Sequence, residues 1–311
     1  MINLVAKQYS AKTGGVWKQS RVSGSQHSVL WSKRKQKQDE DRIYYVLPDS
    51  AEENKYSLLY AIICSRLGSL LGIPVLELHK RKALVKSNGE IKTVNIVTYP
   101  DYKKARESEI SLEDYMSLYE IGKSGALADL RNVDSLMINR NLDRLLAFDF
   151  LVCNQRRMGS DIQVVTSAYG YFRFAPFSGF EHTFTYQCDI DLGRIKAFEP
   201  MCEVFGEYYL GTSSLTENLT LLSAPALFKE LPANYRGVIF RGITDKELPR
   251  AIKDKICEVI ELRYSFLLKN DCITLKTEKE LEEEERAREK AARLARERGL
   301  EEDMTLEDFI K

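Results

Sequence analysis

The chain has 311 residues, and 46 Lys and Arg balance 46 Asp and Glu to a formal net charge of +0. That balance gives no global electrostatic drive toward nucleic acid or a membrane surface. Charged residues at 30% and hydrophobic ones at 44% fit a globular protein long enough for one bilobed domain or two small ones.

No apolar run reaches the ~18 residues that span a bilayer. Met1-Ile2-Asn3-Leu4-Val5-Ala6-Lys7 lacks the apolar core of a secretory signal, so a cytoplasmic location is expected. The cysteines Cys64, Cys153, Cys188, Cys202, Cys257 and Cys272 form no C-x-x-C pair. Zinc is therefore not expected, and a reducing compartment is.

In chain order, residues 1–50 read as short strands with polar turns at Gly14-Gly15 and Ser23-Gly24-Ser25. Val29-Leu30-Trp31 and Ile43-Tyr44-Tyr45-Val46-Leu47 have strand composition. Lys33-Arg34-Lys35-Gln36-Lys37 is basic but runs into Asp39-Glu40-Asp41, a loop of mixed charge. Ser50 and Glu53 form a capping-box pattern ahead of a helix over 51–71. Its stripe is Leu58, Leu59, Ile62, Ile63, Leu67, Leu70 and Leu71, with Gly72 as the stop. Strands are predicted at 74–79, 82–85 and 93–98, with an Asn88-Gly89 turn between the last two.

From Ser111, an N-cap candidate, the period becomes helical. A helix is predicted over 138–153, a hairpin from 162–165 to 171–174, and helices near 212–222, 224–230 and 246–268. Lys276 to Arg298 is almost entirely Glu, Lys, Arg and Ala, a charged helix with no apolar stripe. The tail 304–310 places a few apolar residues on an acidic background and reads as a disordered end, with a docking motif as the alternative.

The stretch Phe148-Asp149-Phe150-Leu151-Val152-Cys153-Asn154-Gln155-Arg156-Arg157-Met158-Gly159-Ser160-Asp161-Ile162-Gln163-Val164 resembles the catalytic loop of HipA-like serine/threonine kinases. That pattern is close to F-D-x-L-x-x-N-x-D-R-H-x-x-N-I-x-V. The resemblance runs over about 20–270 and includes Ala175-Pro176, Leu70-Leu71-Gly72-Ile73-Pro74 and the helix with Arg263. It implies an α+β, bilobed protein-kinase-like (HipA-like) fold. A β-rich N-lobe would take residues 1–110, a mainly helical C-lobe 111–274, and a charged helical extension 275–311.

Phosphoryl transfer needs a phosphate-binding lysine, a carboxylate at the acceptor hydroxyl, and oxygen ligands for magnesium. Aligned to the family, Val46 stands at the lysine, with Lys55 either a stand-in or a surface residue. Arg156 replaces the catalytic Asp, Met158 the His, and Asp161 the metal-binding Asn. Arginine stays protonated at pH 7 and cannot act as a base. Arg156 is therefore either an anion site or a solvated loop residue. In the segment Ala175-Pro176-Phe177-Ser178-Gly179-Phe180-Glu181-His182-Thr183, an ungapped register places Gly179 at the second metal-binding Asp. A two-residue insertion instead places Glu181 there, with His182 a structural or surface histidine.

No catalytic residue is expected to survive at Val46, Arg156, Met158 or Gly179. Ser23, Gly24, Ser25 and Arg156 are the nucleotide-contact candidates, and Asp161 with Glu181 the metal candidates. No cofactor is expected, with ATP and Mg²⁺ as the alternative. The implied role is a pseudokinase, a protein-binding or regulatory module. Its partner is another protein, met through the old cleft or the 276–298 helix, with no membrane and no nucleic acid. The alternative is an ATP/Mg-dependent phosphotransferase, either a residual serine/threonine kinase or a nucleotidyl transferase.

Overall fold

In a computed structural model, the chain divides into two units, Met1–Thr274 and Leu275–Lys311. The structure describes residues 2–5, 19–22, 25–28, 42–46, 56–87, 90–100, 102–103, 107–119, 126–132, 136–167, 172–188, 191–276 and 280. The predicted strand at 29–31, the basic run 33–37, the capping box at 50–53, Lys55 and the Asn88-Gly89 turn lie outside those residues. So do most of the 276–298 helix and the tail 304–310.

The first unit is a mixed α/β structure of small sheets and several helices. Its N-terminal part holds β1 (Ile2–Val5), β2 (Gln19–Val22), β3 (Ser25–Ser28), β4 (Arg42–Val46), α1 (Ser57–Leu71), β5 (His79–Ser87) and β6 (Glu90–Tyr99). A four-stranded sheet has the order β1-β5-β6-β4, and β2 pairs with β3. The β5–β6 register pairs Ser87 with Glu90, the spacing of a two-residue hairpin connection.

Helix α1 buries Leu59, Tyr60, Ile62, Ile63, Cys64, Leu67 and Leu71, so its apolar residues face the core on more than one side. Gly72 closes it in the left-handed region at φ 74°, its N–H returning to Gly68 O and Ser69 O. Glycine adopts that conformation without the Cβ penalty.

The strand predicted at 74–79 is absent. Apart from an isolated bridge between Val75 and Phe177, the backbone there is claimed by a helix side chain. Ser65 Oγ donates to Leu76 O at 2.7 Å and accepts from Leu78 N at 2.9 Å. With Pro74 lacking an N–H, no ladder forms before His79.

The rest of the unit runs β7 (Glu107–Ser111), α2 (Leu112–Leu118), α3 (Ala126–Arg131), α4 (Leu136–Leu151), β8 (Arg156–Arg157), β9 (Gln163–Ser167) and β10 (Phe172–Phe174). Then come α5 (Leu192–Ala197), β11 (Glu207–Tyr208), α6 (Leu215–Leu219), β12 (Ala226–Phe228), α7 (Tyr235–Ile239) and α8 (Arg250–Lys269). Ser111 caps α2, its Oγ accepting from Asp114 N at 3.0 Å. The hairpin of β9 and β10 joins β7 in a three-stranded sheet.

The helix predicted at 224–230 is instead β12. Pro225 and Pro232 bracket it, and Ala226 and Phe228 are buried on either side of half-buried Leu227. Its backbone is taken by other elements: Arg144 Nε donates to Leu227 O and Ala226 N to Cys272 O. Tertiary bonds override a helical composition here. The helix predicted at 212–222 contracts to the five residues of α6, started by Ser214 Oγ accepting from Glu217 N.

Candidate functional site

Helix α4 delivers the loop. Its apolar residues Leu145, Ala147, Phe148, Phe150 and Leu151 are buried, as is Val152 just beyond it. The helix ends in a Schellman arrangement: Asn154 N donates to Asp149 O at 2.9 Å and Cys153 N to Phe150 O at 3.2 Å. Cys153 holds φ 52° at the position where glycine is usual.

Asp143 and Asp149 of this helix are each 3% exposed; Asp143 pairs with Arg131, and Asp149 lies next to the loop. A buried carboxylate requires a partner, and for Asp149 Arg157 supplies it. Arg157 Nε donates to Asp149 Oδ2 at 3.0 Å, Nη2 to Asp149 Oδ1 at 2.6 Å, and Nη1 to Ser178 O. Phe180 lies under the guanidinium, 4.6 Å from its ring centroid to Cζ. Burial works against the charge of Arg157, and Asp149, with Asp161 and Glu181, more than offsets it, so its proton affinity rises. Asn154 Nδ2 adds a bond to Asp149 Oδ1 at 2.9 Å.

Arg156 and Arg157 occupy different environments. Arg156 is exposed, opposite Glu207 in the β8–β11 register, while Arg157 is 2% exposed. Alternation along two extended residues turns one out and one in. The pairing of Asp149 with Arg157 was not anticipated. Its sequence signal was a single aspartate in the apolar run 145–153, eight residues before an arginine.

Asp161 closes a 3₁₀ turn over Gly159–Asp161, its Oδ2 accepting from Met158 N at 2.9 Å. It is 7% exposed, and burial pushes its proton affinity up to a pKa of about 6 against the lowering by Arg157 and Met158 N–H. Met158 is half-buried.

Gly179 sits directly against this cluster. It holds φ 79°, and a Cβ there would lie 2.8 Å from Asp161 Cβ and 2.9 Å from Arg157 Nη1. The Arg157 guanidinium thus fills the space that a side chain at 179 would need. Half-buried Glu181 raises the proton affinity of Asp161, and burial lowers that of His182. The His182 ring stands edge-on to Tyr186 at 4.4 Å, and its backbone O accepts from Gln155 N at 2.9 Å.

Among the described residues, no group of three or more His, Cys, Asp or Glu gathers as a metal site. Val46 lies in β4 opposite Ile96 of β6, and Ser25 opens β3 opposite Val22. Ser23 and Gly24 lie outside the described residues. The structure therefore brings together Asp161, Gly179 and Glu181, with Asp149 and Arg157 added.

No family model matches the chain, and no curated protein matches it. Among solved structures it is similar to the crystal structure of a Helicobacter pylori proinflammatory kinase, CtkA. Identity is 10%, over 86% of this chain and 98% of that one, with a TM-score of 0.49. At that score the likeness decides neither fold family nor activity. No helix among the described residues is long and apolar enough to cross a membrane.

Proposed function

We propose that this chain is a HipA-like kinase fold whose cleft does not transfer phosphoryl groups, and that it acts as a protein-binding or regulatory module. The kinase-like reading is supported by the way the loop after α4, the β9–β10 hairpin and the 175–183 segment converge. These are the segments to which the resemblance assigns the reaction. The observation that carries the non-catalytic reading is Gly179: it offers no side-chain oxygen, and Arg157 and Asp161 leave no room for a side chain there.

Magnesium takes oxygen ligands at about 2.0–2.1 Å in near-octahedral geometry. In the ungapped register the residues present do not fit it, because a guanidinium cation stands beside the vacant ligand position. Arg156 adds a second obstacle, since it cannot accept the proton of an acceptor hydroxyl. Losing a base alone costs ~10²–10⁴ in rate.

One observation favours the phosphotransferase alternative. Burial opposes ionisation of Asp161 and the neighbouring Glu181 carboxylate adds to it, and a divalent cation would relieve that cost.

Thermal unfolding with and without ATP or ADP and Mg²⁺ or Mn²⁺ separates the two readings. A ligand at 100 times its Kd adds about 2.7 kcal/mol of stability. No shift is expected. A metal-dependent shift abolished by Asp161→Ala and Glu181→Ala would refute the non-catalytic reading. The expected partner is another protein, met at the cleft or through residues 276–298.

A further inference from the structure

The segment from Phe177 to Tyr186 is tied down on two sides. Toward the N-terminal part, Phe177 N donates to Pro74 O at 2.7 Å and Leu76 N to Phe177 O at 2.8 Å. Tyr60 Oη pairs with Thr185 Oγ1 at 2.9 Å, and Cys64 Sγ with Thr183 Oγ1 at 3.5 Å, both from α1. Toward the loop, Phe184 N donates to Val152 O at 2.8 Å, Gln155 N to His182 O at 2.9 Å, and Arg157 to Ser178 O.

Three phenylalanines anchor the segment: Phe177, Phe180 and Phe184 are each at most 3% exposed. Phe180 packs edge-on to Phe148 and Phe184 edge-on to Tyr60.

Other features oppose this closure. Phe184 holds φ 55°, a left-handed conformation that is a strained exception for a bulky residue. The segment carries no strand or α-helix to stabilise it cooperatively. Beneath it, Asp149, Arg157 and Asp161 are all nearly dry, and desolvated charges regain hydration when uncovered. Backbone strain and desolvated charge therefore work against the apolar burial and hydrogen bonds that hold the segment closed.

We propose that residues 177–186 form a strap that gates the ion cluster. It opens as one unit, ahead of the rest of the chain, breaking its bonds to α1 and to the loop together. Opening uncovers Asp149, Arg157 and Asp161 and presents the three phenylalanines. This inference does not depend on the kinase reading, because it concerns access to the cluster whatever binds there.

Native-state amide hydrogen exchange on the full chain tests it. The amides of Leu76, Gln155, Phe177 and Phe184 all donate across the strap boundary. They are expected to share one opening constant, with protection at least about a hundredfold below that of Ile256 and Ile260 in α8. Exchange of these four amides only at the α8 rate, or at four unrelated rates, overturns the proposal. A paired substitution isolates the strain. Phe184→Gly and Phe184→Ala remove the same anchor, but only glycine relaxes the left-handed backbone. Exchange at Gln155 and Phe177 is expected to be about fivefold slower in the glycine variant, and equal rates overturn the strain argument. If neither variant folds, Tyr60→Phe removes one buried tie from α1. It should speed exchange at Phe184 and Gln155 with α8 unchanged, and no change there counts against the strap.

Discussion

Replacing Gly179 by aspartate restores, in the ungapped register, the carboxylate that a kinase cleft would use. The surroundings set its cost. A non-glycine residue at φ 79° carries about 1–3 kcal/mol of strain. Its Cβ would stand 2.8 Å from Asp161 Cβ and 2.9 Å from Arg157 Nη1. Neither neighbour can swing aside: Asp161 Cβ is fixed to the backbone, and the guanidinium is held by both Asp149 oxygens. Overpacking of this kind costs about 1–3 kcal/mol more. Gly179→Asp should therefore lose roughly 2–6 kcal/mol in urea unfolding. Gly179→Ala should lose a comparable amount without any charge, which assigns the loss to space and backbone. Adding Mg²⁺ should restore neither. A Gly179→Asp protein as stable as the parent, or one that gains stability with Mg²⁺, would refute the crowding argument and reopen the catalytic reading.

Asp161 makes a pH prediction. Its folded pKa is raised from 3.8 to about 6 by burial, so the folded state binds its proton more tightly than the unfolded chain. Its contribution is fully present below about pH 4 and is lost as pH rises through 6. Asp161→Asn, which still offers an oxygen to Met158 N, should remove that dependence. It should exceed the parent by roughly 3 kcal/mol at pH 7 and match it at pH 4, as read from urea midpoints. A parent more stable at pH 7 than at pH 4 relative to the variant contradicts the assignment. Arg157→Met leaves Asp149 buried and unpaired, at a cost of about 3–5 kcal/mol. Asp149→Asn combined with Arg157→Met should cost less than the sum of the single changes, and additivity would argue against direct coupling. At the α4 terminus, Cys153→Gly should be about 1 kcal/mol more stable than Cys153→Ala. The two remove the same thiol, and only glycine fits φ 52° without strain; equal midpoints would place the strain elsewhere.

Local pattern was enough for the elements whose own residues carry their stabilising contacts. The stripe of α1 and its Gly72 stop, the Ser111 cap, α4, the β9–β10 hairpin and α8 all follow from periodicity and end signals in the chain. Where backbone partners come from elsewhere, pattern failed. Ser65 and Phe177 hold residues 75–78 out of a strand, and neighbours draw Ala226–Phe228 into one. The same division runs through the candidate site. Aligned to the resemblance, the sequence by itself sets Val46, Arg156 and Met158 apart from the family pattern, and Gly179 too in the ungapped register, because side-chain chemistry is legible position by position. The run 145–153 also holds a single aspartate, Asp149, a carboxylate that burial obliges to pair. Only the tertiary structure decided that the partner is Arg157 rather than Arg156. It alone showed that this guanidinium stands where a side chain at 179 would go, and that three phenylalanines close a strained segment over the charges. Burial, proximity and clearance are properties of segments distant in sequence, and no local pattern encodes them.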